Sequence, residues 1–88
     1  MSFEKLPDAF GVAEIDGEVV LISASTGEFF ATKGTGAEIW HLLDQTGDLA
    51  AIAESLTERF AIDGATAQAE TLEFLGQLEE LGFVGRAA

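Results

Sequence analysis

The stretch from Glu28 to Trp40, Glu-Phe-Phe-Ala-Thr-Lys-Gly-Thr-Gly-Ala-Glu-Ile-Trp, changes secondary structure within a few residues. Glu28–Thr32 reads as a short strand. Phe29 and Phe30 are adjacent, so a strand sends them to opposite faces. One enters the core; the other needs separate cover or stays in solvent. Lys33-Gly34-Thr35-Gly36 then makes a corner. Thr35-Gly36-Ala37-Glu38 fits the S/T-x-x-E capping box, with Thr35 as N-cap and Glu38 at N3. The helix that starts there carries Ala37, Ile39, Trp40, Leu42 and Leu43. The rest of the chain must therefore build a sheet on one side of this corner and a helical layer on the other.

Two more strand segments precede it. Phe10–Ile15 and Glu18–Ser23 flank Asp16-Gly17, a dipeptide suited to the positive φ angles of a two-residue hairpin turn. Val19-Val20-Leu21-Ile22 is continuously apolar, which predicts a central strand covered on both faces. Ser25-Thr26-Gly27 is turn chemistry. The result is an antiparallel meander with the second strand in the middle. The third strand is an edge, with a row of unpaired backbone N–H and C=O groups. Residues 1–9 read as a flexible lead-in, with Pro7 as a stop.

After the corner, the first helix spans about Gly36–Gln45 and ends at Thr46-Gly47. Asp48 is the expected N-cap of a second helix, whose Leu49, Ile52, Ala53, Leu56 and Phe60 form one apolar stripe. Asp63 caps a third helix that runs to about Leu81. Its expected stripe is Ala69, Leu72, Leu75 and Leu78, widened by Phe74 and Leu81, with Gly82 at C′. Phe83-Val84 dock back, and residues 85–88 are a tail. Strands followed by helices, with no repeats, define one α+β domain over residues 10–84. A chain of 88 residues suffices for one core and is too short for two.

Composition narrows the function. The hydrophobic fraction of 48% fits a packed domain. With no cysteine there is neither a disulfide framework nor a thiolate metal site. No apolar run is long enough to span a membrane and no secretory signal is visible, so the expected location is the cytoplasm. The net charge of −12, from sixteen acids against Lys5, Lys33, Arg59 and Arg86, opposes phosphate backbones and anionic membrane surfaces. It favours a basic partner; equally, the acids can be plain solvated helix faces. His41 is the single histidine and reads as a half-exposed structural residue. Glu79 and Glu80 point in different directions around a helix. Gly34-Thr35-Gly36 lacks the spacing and the lysine of a phosphate-binding loop. No catalytic or metal-binding constellation assembles, so the chain reads as a binding protein with no enzymatic activity and no cofactor. The second and third helices are spaced like a helix-turn-helix, but the third holds no Lys or Arg and carries Glu70, Glu73, Glu79 and Glu80, which opposes DNA binding. Glu54-Ser55-Leu56 faintly matches the attachment motif of acyl carrier proteins, but it sits inside a helix pattern of a chain that is partly strand.

Taken together, Val-Leu-Ile-Ser (20–23), Thr-Gly-Glu-Phe-Phe-Ala-Thr (26–32), Gly-Ala-Glu-Ile-Trp-His-Leu-Leu-Asp (36–44) and Leu-Glu-Phe-Leu-Gly-Gln-Leu-Glu-Glu-Leu-Gly-Phe-Val (72–84) resemble the PqqD-like family. This family comprises the recognition elements that bind leader segments of ribosomally made, post-translationally modified peptides. The resemblance covers roughly residues 10–84. It implies a winged-helix-like fold of a three-stranded antiparallel sheet followed by three helices. It also implies that a leader peptide adds as a further strand beside the third strand, with side chains against the third helix. The implied peptide-binding residues are Glu28, Phe29, Phe30, Ala31, Thr32, Lys33, Gln68, Thr71, Leu72, Leu75 and Leu78. Leu75 is expected half-buried, on the floor of the groove, with a purely core position as the alternative. Thr32-Lys33 stands where the family usually has Leu-Asn, and Glu70 where members often have Asp. A Pro-Glu-Gly turn expected of the PQQ-synthesis protein is missing, so a free-standing protein of lasso-peptide biosynthesis is the nearer match. Its implied partners are the precursor leader, a separate leader peptidase and a cyclase; a second copy of the chain is another candidate cover for the open edge. The alternatives are a peptide chaperone of PQQ synthesis and a winged-helix transcriptional regulator.

Overall fold

A computed structural model describes residues 1–87 of the chain. In order, the elements are β1 (Ser2–Lys5), a 3-10 turn (Pro7–Ala9), β2 (Phe10–Ile15), β3 (Glu18–Ser23), β4 (Phe29–Thr32), α1 (Thr35–Leu42), α2 (Leu49–Phe60), α3 (Gly64–Glu80) and β5 (Val84–Ala87). An antiparallel sheet has the order β2-β3-β4, and β1 pairs with β5 in a separate antiparallel ribbon. The expected α+β architecture, a three-stranded meander followed by three helices, is present; its likeness to a winged helix is loose. No helix among the described residues is long and apolar enough to cross a membrane.

Asp16 (φ 52°) and Gly17 (φ 81°) form the β2–β3 turn. Both take the positive angles that a type I′ hairpin demands. Val19 and Leu21 of β3 are fully buried against the helices, whereas Ile22 is exposed and Val20 half-buried. The central strand is thus covered on one face, where the apolar run suggested two. Three helices cannot wrap both faces of a sheet this small. The outer face keeps Ala13, Ile15, Ile22, Phe29 and Ala31 in solvent.

The sharpest departure from expectation is at the ends of the chain. Residues 1–9 are no flexible lead-in: they supply β1 and the 3-10 turn. Residues 85–87 of the expected tail form β5, while Ala88 lies outside the described residues. β1 has a single apolar side chain at its centre, too little alternation to reveal a strand. That side chain, Phe3, is 2% exposed and belongs to the core. The Phe3 N–H donates to the Gly47 carbonyl at 2.8 Å, Leu6 N–H to Phe83 and Leu49 N–H to Met1, both at 2.9 Å. A Cβ on Gly47 would collide with the Phe3 carbonyl, so the approach of β1 requires glycine there.

The helix ends follow local chemistry at three of four expected points. Asp48 accepts from the Ala51 N–H at 3.0 Å and Asp63 from the Thr66 N–H at 2.8 Å, both as N-caps. The Thr66 N–H, then its hydroxyl, holds the Asp63 carboxyl below its usual range. The stability this cap contributes is therefore complete above that range and is lost as pH falls through the lowered value. At the end of α3 the Phe83 N–H reaches the Leu78 carbonyl and the Gly82 N–H reaches that of Glu79, with Gly82 at φ 82°. This is the Schellman arrangement. The capping box of α1, however, does not form. Gly34, at φ 64°, is the N-cap, Thr35 is already helical, and no side chain caps the end. Glu38 turns instead to Arg59, 2.9 Å away. α1 also stops at Leu42, short of Gln45, where the Asp44 and Gln45 N–H groups turn back to the His41 and Leu42 carbonyls, three residues away, and tighten the last turn.

Trp40 anchors the core beside β2, its ring edge-on to Phe10 at 5.1 Å. Lys5 covers it, with its ammonium 3.9 Å from the indole centroid and 2.8 Å from Asp44. Because Phe3 is 2% exposed in the core, Phe3→Ala should cost about 3–5 kcal/mol. Urea unfolding monitored by Trp40 fluorescence checks this; an unchanged midpoint would show that β1 is dispensable.

Candidate functional site

Register decides which groups β4 leaves free. Leu21 pairs with Phe30 and Val19 with Thr32, and the ladder runs on to Ser23, whose N–H donates to the Glu28 carbonyl at 2.9 Å. Bonded and non-bonded pairs alternate in an antiparallel ladder. Phe30 and Thr32 therefore turn their backbone groups toward β3. Phe29 and Ala31 turn theirs outward, to an edge with no strand beside it among the described residues. β2 is the sheet's other edge; it passes α1 at the Glu14–His41 pair, 2.7 Å apart.

Side chains alternate too. Phe30 and Thr32 share the inner face with Leu21 and Val19, while Phe29 and Ala31 share the outer face with Ile22 and Val20. Phe29 is 75% exposed. Phe30 is half-buried and meets Phe74 of α3 with ring centroids 5.9 Å apart. The two phenylalanines divide as expected, one inward and one out.

α3 lies along the inner side of the β4 edge, and two clefts open between them, one on each side of the Phe30–Phe74 contact. The first, about 280 Å³, adjoins Thr32 and Lys33 and is walled by Glu70, Glu73, Phe74 and Gln77. Its base is Gly36, where a Cβ would strike the Thr32 hydroxyl and crowd Phe74. The second, about 200 Å³, adjoins Glu28 and Phe30 and is closed by Glu80, Leu81 and Phe83. Of the described basic side chains, Lys5, Arg59 and Arg86 are held by Asp44, Glu38 and Glu79. Among the described residues Lys33 makes no ion pair, nor do Glu70 and Glu73. Among the described residues no group of three or more His, Asp or Glu side chains could hold a metal ion.

The residues singled out in the sequence fall into three groups. Glu28, Phe29, Phe30, Ala31, Thr32 and Lys33 do lie along or beside the open edge. Thr71, Leu75 and Leu78 are fully buried, with the Thr71 hydroxyl donating to the Ala67 carbonyl at 2.7 Å. Leu75 is thus a core residue at 0% exposure, and the expected half-buried groove floor is not where it sits. Gln68 and Leu72 are exposed on the opposite flank of α3; Gln68 borders a cleft shared with α2. The cause is one error of phase. Reading Ala69 and Leu72 as inward placed the stripe too far round the helix, whereas the buried line is Ala67, Thr71, Leu75 and Leu78. That rotation brings Glu70, Glu73, Phe74, Gln77 and Leu81 to β4. Phe74, one turn from both Glu70 and Gln77, was the available signal.

This arrangement defines an α+β domain whose meander ends in an open strand edge facing one flank of its longest helix. The chain belongs to the PqqD family: the family model described as Coenzyme PQQ synthesis protein D (PqqD) matches residues 18–84. Two solved structures are similar over nearly their whole length. One, "TbiB1 in Complex with the TbiA(beta) Leader Peptide", shares 28% identity and a TM-score of 0.85, covering 97% of this chain and 98% of that one. The other, "Lasso peptide synthetase B1 complexed with the leader peptide", shares 27% identity and a TM-score of 0.82, covering 97% and 99%. A search of curated proteins finds no match.

The register predicts a contrast between neighbouring prolines. Ala31→Pro removes an N–H that points away from the sheet, so the fold should persist. Thr32→Pro removes a ladder bond and should cost about 1–3 kcal/mol more. Thermal and urea melts of the pair test it; equal destabilisation would contradict the assigned register.

Proposed function

We propose that the protein binds the leader segment of a ribosomally synthesised precursor peptide, which adds as a strand to the outer edge of β4 beside α3. The observation that carries this is the outward aim of the Phe29 and Ala31 backbone groups next to two clefts. Added backbone hydrogen bonds supply affinity, and pockets for alternate side chains supply selectivity. Both similar structures are described as leader-peptide complexes, which supports the same reading. The contact set on this chain is Glu28–Lys33 from β4 and its ends, with Glu70, Glu73, Phe74 and Gln77 from α3 and Leu81 at its C-cap. Thr71, Leu75 and Leu78 support it from beneath.

In this reading the protein performs no chemistry: it presents the precursor to a separate leader peptidase and a maturation enzyme such as a cyclase, in lasso-peptide or related biosynthesis. A second copy of the chain pairing edge to edge would use the same backbone groups, so self-association at β4 and peptide binding exclude one another. DNA recognition by α3 is opposed by its acids and its lack of any basic residue.

The test uses a fluorescein-labelled leader from a short precursor reading frame adjoining the gene. Anisotropy should show saturable binding that Ala31→Pro abolishes while the melting temperature holds. Full binding by folded Ala31→Pro would refute strand addition at this edge. Leu75→Ala should do the reverse, lowering stability by about 2–5 kcal/mol with the affinity of the folded fraction unchanged. A weakened affinity at undiminished stability would return Leu75 to the groove.

A further inference from the structure

The two clefts beside β4 differ in chemistry, and the ladder fixes their spacing. A strand added to the edge presents alternate side chains to the inner face. Its inward residues stand opposite Thr32, Phe30 and Glu28 in turn. The residue opposite Thr32 faces the Glu70–Glu73 cleft, and the one opposite Glu28 faces the cleft closed by Leu81 and Phe83. The residue between them meets the Phe30–Phe74 contact, which fills the space.

The first cleft is walled by two exposed carboxylates one turn apart on α3, neither held by a cation among the described residues. Like charges at this spacing repel, and an incoming cation relieves them. Lys33 stands at the same cleft and offsets one of the two, leaving a net negative wall. The second cleft has Phe29, Phe30, Leu81 and Phe83 as its apolar walls, with the hydroxyls of the β3–β4 turn, Glu28 and Glu80 around its margin. Phe83 is 2% exposed, so that wall is held by the core; Leu81 is exposed and open to contact.

Resting on the strand-addition reading, we propose that the bound peptide is read at two side chains four residues apart. A Lys or Arg enters the Glu70–Glu73 cleft, a bulky apolar residue enters the Leu81–Phe83 cleft, and a small residue lies midway, over Phe30 and Phe74. The selected substrate class is therefore a peptide segment with a cation and an apolar anchor at i and i+4. Either strand direction satisfies the spacing, since both put alternate residues on one face.

Selection from a displayed library of random nonapeptides tests the motif independently of the natural leader's sequence. Peptides are kept only if Ala31→Pro abolishes their binding. The wild-type protein should enrich Lys or Arg four positions from Leu, Ile, Phe or Met, with Gly, Ala or Ser between them. The double variant Glu70→Lys/Glu73→Lys, with unchanged circular dichroism, should enrich Asp or Glu at the first position and keep the apolar one. Leu81→Glu should lose the apolar preference and keep the cation. Glu70→Gln/Glu73→Gln should weaken a selected cationic peptide roughly tenfold at low salt and much less at high salt. Ala31-dependent peptides with no such pair, or a cation preference that survives charge reversal, overturn this inference and leave strand addition standing. Peptides that all bind Ala31→Pro as well as wild type overturn both.

Discussion

The ladder of β3 is the constraint on which the molecule depends. β3 is the one strand bonded on both sides in its sheet, and its Val19 and Leu21 are wholly buried against the helices. Its odd-numbered residues bond to β4, so its even-numbered ones bond to β2; the Ala24 N–H continues that second ladder to the Ala9 carbonyl. A slip of one residue would turn every side chain over. Phe30 would leave Phe74, and the groups that β4 now sends outward would point inward. The I′ turn at Asp16-Gly17 and the burial of Leu21 together hold that register. The open edge is thus determined from the other side of the sheet.

α3 is fixed by a comparable set of buried contacts. Ala67, Thr71, Leu75 and Leu78 face inward, and α2 packs against α3. Thr71 would be costly there without a partner, and its bond to the Ala67 carbonyl removes that cost. With this line buried, the flank carrying Glu70, Phe74, Gln77 and Leu81 can only run beside β4. The candidate surface is thus formed mostly by residues outside the core, with Phe30 and Phe74 packed against it, on elements whose positions the core decides. Such a surface can change its side chains without unsettling the fold.

Much of this was legible in the sequence, where local chemistry is decisive. Asp16-Gly17, Asp48, Asp63 and Gly82 each have a side chain or a backbone angle that suits one role, and each takes it. Phe29 and Phe30 had to part because adjacent strand residues cannot share a face. What could not be read locally was set by distant partners. Glu38 abandons its capping role for Arg59, a residue of another helix. The phase of α3 was hidden because leucine at position 72 looked more suited to a core than threonine at 71; packing against α2 decides otherwise. β1 was invisible because its partner, β5, lies at the far end of the chain and its own pattern contains one buried side chain. The edge half of the candidate site was therefore readable, and the helical half was not.

The β1–β5 ribbon also orders events in time. The meander and the α2–α3 pair are made by segments close in sequence, which can meet quickly. β1 has to wait, since its partner strand is separated from it by almost the entire domain, and closing so long a loop is entropically slow. During synthesis β1 precedes β5 by most of the domain, so the ribbon cannot close until the strand after α3 has followed. Pairing of β1 with β5 therefore marks the moment when the domain is complete.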